Sequence, residues 1–403
     1  MAKRILIYTN HFFPEQFKIN EIVNWMAEED YEIRVVTGLP NYPSGKIYRG
    51  YGFNSICRTE HNGRVTINRL PLIPRGNGNF LNLTLNYLSY FISSFLFTIF
   101  LIFKKKYDFI FVHHTSPILI AIHPIFYSFF RKGTRKYLWD LDVWPETLRA
   151  MNIVSSKSIL FTISKLVQFI YSFYDKILIS SNSFKETIRN RYSKEIIYFP
   201  NWAEKEIEEN IRTKNMNIII PKDKFVIMYT GNIGAAQNFI SLTSTIKELQ
   251  NEKIIWVFVG GGRSKNKFIS KLDHANLKDK CLFIDPIKVS EIPEIAFYAD
   301  AMFLSLKPNE VFSKTVPAKL QSYLALRKPV IGVLQGEGAE IIKSSNCGIV
   351  EEKADYLALA NNIRSMLRLT KEKMREMGNS GREYYDKNFS QSTRKNQLLK
   401  LFS

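Results

Sequence analysis

A chain of 403 residues has room for two α/β domains, each with its own core. Its 45% hydrophobic and 23% charged residues are those of a globular protein and exclude a disordered one. The net charge of +19 favours an anionic partner (nucleic acid, an acidic membrane surface or phosphorylated substrates) without choosing among them. The three cysteines, Cys57, Cys281 and Cys347, are widely spaced with no C-x-x-C pair. That usage fits a reducing compartment and predicts no structural zinc.

The chain opens on Lys3-Arg4-Ile5-Leu6-Ile7-Tyr8, which runs straight into a strand rather than into the long apolar region of a signal peptide, so a cytoplasmic location is expected. Ile5–Thr9 and Ile33–Thr37 are β-branched runs around a helical stretch at Asn20–Glu29, and Phe109–His113, Lys136–Leu141, Lys176–Ser180 and Ile196–Phe199 continue the strand series. Residues 204–217 are acidic and polar and read as a linker. The alternation restarts with strands at Phe225–Thr230, Ile255–Val259, Leu282–Ile284, Ala301–Leu306 and Val330–Val333. The expected domains are therefore 1–203 and 218–382, doubly wound and facing across a cleft. A charged helical segment at 383–403 could pack on either domain.

Two segments depart from an ordinary soluble domain. Phe80–Phe103 is almost uncharged and ends in Lys104-Lys105-Lys106, with Asn79, Asn82, Asn86, Ser89 and Ser93 making a narrow polar stripe on an apolar helix. Ile159–Tyr174 is apolar apart from one face of Ser164, Lys165, Gln168, Ser172 and Lys176. Both could cover the amino-terminal sheet, or lie in a membrane interface with Arg131, Lys132, Arg135 and Lys136 toward anionic lipid; one helix can do both.

A series of local patterns stands in order along the chain: His11-Phe12-Phe13-Pro14-Glu15, Thr37-Gly38-Leu39-Pro40-Asn41-Tyr42-Pro43, Leu141-Asp142-Val143-Trp144-Pro145-Glu146, Phe199-Pro200-Asn201-Trp202, Gly231-Asn232-Ile233-Gly234 and Pro317-Ala318-Lys319-Leu320. Together they resemble the family 4 glycosyltransferases of GT-B architecture, most nearly the capsule and O-antigen subgroup typified by N-acetyl-L-fucosamine transferases. The resemblance implies two Rossmann-like domains. A UDP-sugar donor would be held by the carboxyl-terminal domain, and a polyprenyl-pyrophosphate-linked acceptor would sit on the amino-terminal domain at the inner face of the cell membrane. It also implies retention of configuration and no metal or other cofactor. No nucleic acid partner is expected, since interleaved basic and aromatic arrays are missing.

On the donor side, Gly231 and Gly234 follow a strand and precede a helix, where glycines admit a phosphate and backbone N–H groups supply donors, although such a turn can also merely reverse the chain. The family's arginine and lysine in this loop are replaced near Asn232 and Gln237, leaving Lys319, at the start of a proline-led helix, as the leading cation, with Lys307 and Lys314 behind it. Gly260, Gly261 and Arg263 form either a second wall or a plain turn, and by the resemblance Asp285 and Pro286 meet the nucleobase. Relatives carry two glutamates eight positions apart around this helix. Here those positions fall on Lys314 and Ser322, and Glu310 is an out-of-register candidate for the first. Ser322 can still bond a ribose hydroxyl.

On the acceptor side, Asp142 and Glu146 are the favoured acids, able to orient a hydroxyl or take its proton; capping of the next helix is the alternative for Asp142. His11 joins them as a catalytic candidate. Glu15, Lys18, Asn41, Lys46 and His114 are expected to bind the acceptor, the lysines through phosphate. Of His113 and His114, one is expected to face the cleft and the other to pack; His61, His123 and His274 are read as structural or exposed. Two other functions fit the same architecture or charge: a UDP-N-acetylglucosamine 2-epimerase, and a basic membrane-binding scaffold without enzymatic activity.

Overall fold

The computed structural model describes residues 2–52, 57–60, 63–211 and 219–403. His61, the Cys57 side chain and the 212–217 part of the expected linker lie outside the described residues. The chain divides into two compact units, residues 1–199 with 397–403, and residues 200–396. The boundary at Pro200 differs from the expected linker. Residues 204–211 belong to the second unit, because Ile207 is buried there and the Glu208 carboxylate accepts hydrogen bonds from the Tyr385 hydroxyl at 2.6 Å and the Gln391 amide at 3.0 Å.

The first unit is an eight-stranded sheet of β1 (Lys3–Thr9), β2 (Tyr31–Gly38), β3 (Cys57–Glu60), β4 (Val65–Leu70), β5 (Phe109–His114), β6 (Arg135–Asp140), β7 (Lys176–Ile179) and β8 (Glu195–Tyr198). Its order is β3-β4-β2-β1-β5-β6-β7-β8, parallel except for β3 against β4. The helices are α1 (Ile19–Glu28), α2 (Phe80–Ile102), α3 (Ile122–Phe130), α4 (Glu146–Ala150), α5 (Lys157–Ser172) and α6 (Phe184–Arg189). Leu6, Val112, Leu138 and Ile177, successive across the sheet, are all fully buried, as strands covered on both faces require.

The second unit is an all-parallel sheet of β9 (Phe225–Thr230), β10 (Ile254–Val259), β11 (Cys281–Ile284), β12 (Ala301–Ser305), β13 (Val330–Val333) and β14 (Gly348–Glu351), in the order β11-β10-β9-β12-β13-β14. Its helices are α7 (Lys205–Glu208), α8 (Phe239–Glu248), α9 (Lys265–His274), α10 (Ile292–Phe297), α11 (Glu310–Ser313), α12 (Ala318–Ala325), α13 (Glu337–Ser344), α14 (Tyr356–Leu367) and α15 (Lys371–Asn388). A last helix, α16 (Gln391–Phe402), begins in this unit and ends in the first. In both sheets the strand order reverses at the first strand of the unit: β1 lies between β2 and β5, and β9 between β10 and β12. Ligands of such sheets bind at the carboxyl ends of the strands around that reversal.

Helix α2 is built inside out. Asn86, Tyr90, Ser94 and Thr98, spaced by four, form its buried face with Leu101, while Leu81, Leu85, Leu88, Ile92, Leu96 and Phe100 are exposed. The buried polar groups are bonded: Tyr90 donates to the Thr9 carbonyl at 2.9 Å, Thr98 meets the Tyr8 hydroxyl at 2.8 Å, and Ser94 meets His123 Nε2 at 2.9 Å. Of the stripe seen in the sequence only Asn86 belongs to this buried face; Asn82, Ser89 and Ser93 lie at its margin and Asn79 is exposed. The apolar surface continues onto α3 and α5 through ring contacts Phe95–Phe126, Phe126–Phe130, Phe129–Phe173 and Phe169–Phe173. Lys104, Lys105, Lys106 and Lys132 are exposed at its edge, and Arg131 closes the end of α2 by donating to the Ile102 carbonyl at 2.6 Å.

This inversion predicts a reversal of the usual mutational rule. Thr98→Val, which strands the Tyr8 hydroxyl, should cost about 1–3 kcal/mol in denaturant melts. Leu96→Ser should change stability by less than about 0.5 kcal/mol.

Candidate functional site

In the first unit the carboxyl ends of β1, β2, β5 and β6 gather the acceptor-side candidates. His11 and Glu15 follow β1; both are buried, with His11 Nδ1 at 2.7 Å from Glu15 Oε2. The other Glu15 oxygen accepts the backbone N–H groups of Asn41 at 2.7 Å and Tyr42 at 2.6 Å. Glu15 is thus occupied on both oxygens and acts as a brace, where the sequence reading had it touch the acceptor. With Nδ1 turned to the carboxylate, His11 directs Nε2 away from Glu15, and its ring stacks on Phe17 with centres 4.5 Å apart. Asn41 is likewise buried and structural: its amide donates to the Leu39 carbonyl at 2.9 Å, and its oxygen accepts the Arg75 N–H at 3.1 Å.

His113 and His114 are both buried. His113 Nδ1 meets the Thr9 hydroxyl at 2.9 Å, and burial lowers its pKa to about 3, so it stays neutral at physiological pH. His114 Nδ1 lies 2.8 Å from Asp140, whose second oxygen accepts the Tyr171 hydroxyl, while His114 Nε2 has no hydrogen-bond partner among the described residues. Asp140 is therefore the packed member of the aspartate pair. Asp142 keeps part of its surface open; burial raises its carboxyl pKa, against the opposing pull of His114 and a hydrogen bond with Ser116. A carboxylate so tuned suits a general base. Glu146 is placed otherwise than expected. Both its oxygens are held by Arg191, which also donates to the Trp144 carbonyl at 3.0 Å, so Glu146 fixes the loop after β6.

Lys18 pairs with Glu21 at 3.2 Å, and Lys46 is exposed. The sequence reading missed the Arg75 cluster. The Arg75 guanidinium lies 5.0 Å from the centre of the Tyr42 ring and 5.7 Å from that of Tyr87, and donates to the Tyr87 hydroxyl at 3.3 Å. Burial raises the Tyr87 pKa, Arg75 counters it, and Asp142 is close enough to add to it. The only signal in the sequence was Arg75-Gly76-Asn77-Gly78, a turn that gives no hint of its partners. A cavity of about 990 Å³ in this unit, lined by Lys3, Glu29, Tyr31 and Arg64, opens at the opposite edge of the sheet, at the strand starts.

In the second unit the glycine loops after β9 and β10 lock onto each other. Gly231 donates to the Val259 carbonyl at 2.8 Å and Ile233 to the Gly261 carbonyl at 2.7 Å, while Gly234 donates to the Gln237 side chain at 3.0 Å. The expectation that this loop offers a row of free N–H donors is corrected: two of its four are consumed by cross-bracing and a third by Gln237, which leaves that of Asn232. The glycines serve close approach instead. At Gly260 (φ +140°) a Cβ would strike the Gly231 carbonyl, and at Gly262 (φ +150°) the Ile233 carbonyl.

Lys319, second residue of α12, lies against Gly231 with Nζ 5.5 Å from the centre of the Tyr229 ring. Burial lowers its pKa, and no carboxylate pairs with it among the described residues. A half-buried cation over a helix start is a receptor for an anion. Pro286 packs near Gly261, whereas the Asp285 carboxylate is exposed and pairs with Lys265 at 2.8 Å, which lowers its pKa. Arg263 and Lys307 are exposed; the Lys307 N–H is tied to the Ala236 carbonyl at 2.8 Å. Glu310 and Lys314 pair at 3.8 Å, and the Ser322 hydroxyl faces the Ala318 carbonyl at 3.4 Å. Among the described residues, no three His, Cys, Asp or Glu side chains gather as a metal site.

Residues 210–384 match the family model of the group 1 glycosyl transferases. The chain is 26% identical over 330 residues to WbjE of Pseudomonas aeruginosa, named as a glycosyltransferase, covering 79% of this chain and 80% of that one. It is 24% identical over 342 residues to WcaI of Escherichia coli K12, named as a colanic acid biosynthesis glycosyl transferase, with 80% and 81% covered. Among solved structures, sucrose-phosphate synthase from Thermosynechococcus elongatus superposes with a TM-score of 0.71 at 15% identity, covering 100% of this chain and 98% of that one. HepE of Anabaena, in complex with UDP and glucose, gives 0.66 at 11% identity, covering 100% and 99%. The fold is GT-B, with two Rossmann-like parallel-sheet domains. The carboxyl-terminal part of the chain is thus similar to the group 1 glycosyl transferases, and most of its length is similar to two proteins named as glycosyltransferases.

The raised pKa of Asp142 has a stability consequence. A carboxyl raised in the folded state contributes stability below its unfolded pKa and loses it as pH rises through the folded value. Asp142→Asn should therefore raise the thermal midpoint at pH 7, and the gain should vanish below about pH 4, where the unfolded carboxyl is protonated too.

Proposed function

We propose that this chain transfers a sugar from a UDP-sugar donor, bound by the second unit, to a polyprenyl-diphosphate-linked acceptor, bound by the first, in the assembly of a capsular, O-antigen or other extracellular polysaccharide. The donor sugar of this reading is an N-acetylated deoxyhexosamine such as N-acetyl-L-fucosamine. The observation that carries it is Lys319, a half-buried cation without a carboxylate partner among the described residues, set beside Gly231 where the strand order of the second sheet reverses. That site lies inside the region matching the group 1 glycosyl transferases. The names of WbjE and WcaI and the UDP and glucose bound to HepE support the class of reaction and of donor.

On this reading Lys319 and the α12 start neutralise the leaving diphosphate, so the C–O bond to the sugar breaks toward them without a metal. Asp142 takes the proton of the acceptor hydroxyl as it attacks, and His11, oriented by Glu15, bonds a substrate hydroxyl through Nε2. Front-side attack would retain the configuration. The apolar surface of α2, α3 and α5, edged by lysines, is read as the face that rests on an anionic inner-membrane surface, where such an acceptor resides.

Purified full-length protein incubated with membrane lipid and a panel of UDP- and GDP-sugars should release UDP and label a lipid. Conversion of the sugar without lipid would favour an epimerase, and lipid binding with no response to any nucleotide-sugar would favour a scaffold. Lys319→Ala should weaken UDP binding by roughly tenfold or more, as loss of a charge-assisted contact implies. Equal affinity in the variant would remove the anion site from this proposal.

A further inference from the structure

The Arg75 cluster has no part in the roles assigned so far. Arg75 sits in the loop that enters α2, held by chain-distant partners. Its N–H is bonded to the Asn41 side chain, and the neighbouring Gly76 donates to the Gly45 carbonyl at 2.9 Å. Gly45 (φ +76°) must be glycine, because a Cβ there would strike the Gly76 carbonyl. The two loops are thereby pressed together, and Tyr42 from one and Tyr87 from α2 bracket the guanidinium of the other.

The guanidinium spends one hydrogen bond on the Tyr87 hydroxyl and meets no carboxylate among the described residues. Most of the five-donor fork remains available for an anion, and its planar geometry matches paired phosphate oxygens. Its place narrows the ligand further. Leu88, the residue after Tyr87, opens the exposed apolar run Leu88, Ile92, Leu96 along α2, and Asp142 is near enough to Tyr87 to raise its pKa. An anion at Arg75 therefore lies at the entry to a helix whose exposed face is apolar, beside a tyrosine that feels the candidate proton acceptor.

We propose that Arg75, clamped by Tyr42 and Tyr87, is the receptor for the diphosphate of a prenyl-diphosphate-linked acceptor, whose hydrocarbon chain leaves along the exposed face of α2. The proposal rests on the transfer reading above and adds to it the residue that recognises the diphosphate, a role that the sequence had assigned to Lys18 and Lys46.

The test measures binding of farnesyl diphosphate, farnesol and inorganic pyrophosphate to the full-length protein in detergent micelles, and of the protein to phosphatidylglycerol vesicles. Farnesyl diphosphate should bind more tightly than either fragment, and Arg75→Gln should weaken it by roughly 10- to 100-fold. Arg75→Lys should fall between, which separates charge loss from misfolding; farnesol and vesicle binding should be the same in all three proteins. Unchanged farnesyl diphosphate affinity in Arg75→Gln overturns the proposal. So does a parallel loss of vesicle binding, which would make Arg75 a contact for lipid headgroups. UDP release from UDP-sugars is measured alongside. Release with Arg75-independent farnesyl diphosphate binding sinks this inference alone, whereas Arg75-dependent binding without release supports it and sinks only the transfer reading.

Discussion

The buried carboxylate of Glu15 is the contact on which the first unit's site depends. One oxygen sets the ring of His11, and the other gathers the N–H groups of Asn41 and Tyr42. From there the order propagates: Asn41 holds Arg75, and Tyr42 supplies one of the rings that bracket its guanidinium. A glutamine at position 15 could keep both backbone N–H groups on its oxygen, but its amide NH2 would then donate to His11 Nδ1 and move the ring proton to Nε2. One side chain thus fixes a histidine after β1, the loop after β2 and the entry to α2, all from the interior.

The second unit achieves comparable rigidity without a charge. Its two glycine loops are stitched by backbone hydrogen bonds at distances that no side chain would allow, and this prepares a surface onto which Lys319 is laid. Tyr229 beneath the lysine offers an aromatic face in place of a carboxylate, so the cation is positioned but not neutralised. The Glu310–Lys314 pair, by contrast, joins two charges in the stretch that leads into α12.

Much of the architecture could be read in the sequence because buried parallel strands are nearly continuous apolar runs. Ile5–Thr9, Phe109–His113 and Phe225–Thr230 were legible on that ground. β4 was not: Asn68 and Arg69 sit in it fully or nearly buried and interrupt the apolar pattern. The site was legible as a list of polar residues near strand ends, but not as a set of partnerships. Glu15 and Asn41 looked like acceptor contacts, and Glu146 like a catalytic acid, because nothing local shows that their polar atoms are taken by residues 26, 34 and 45 positions away. Arg75 was overlooked for the converse reason, since both of its rings come from elsewhere in the chain. A polar stripe on α2 was visible, but the buried face, through Tyr90, Ser94 and Thr98, shares only Asn86 with it, because periodicity marks faces without saying which one turns inward.

That direction changes what substitution means on α2. In most proteins an apolar replacement is the safe choice inside and a polar one the safe choice outside. Here leucine at Asn86, Ser94 or Thr98 would destabilise the fold, and serine at Leu88 or Ile92 would leave it standing while making the exposed face more polar. Selection for solubility and selection for foldedness therefore act on opposite sides of one helix, and a variant obtained by the first criterion alone could be well folded and yet have lost the apolar face of α2.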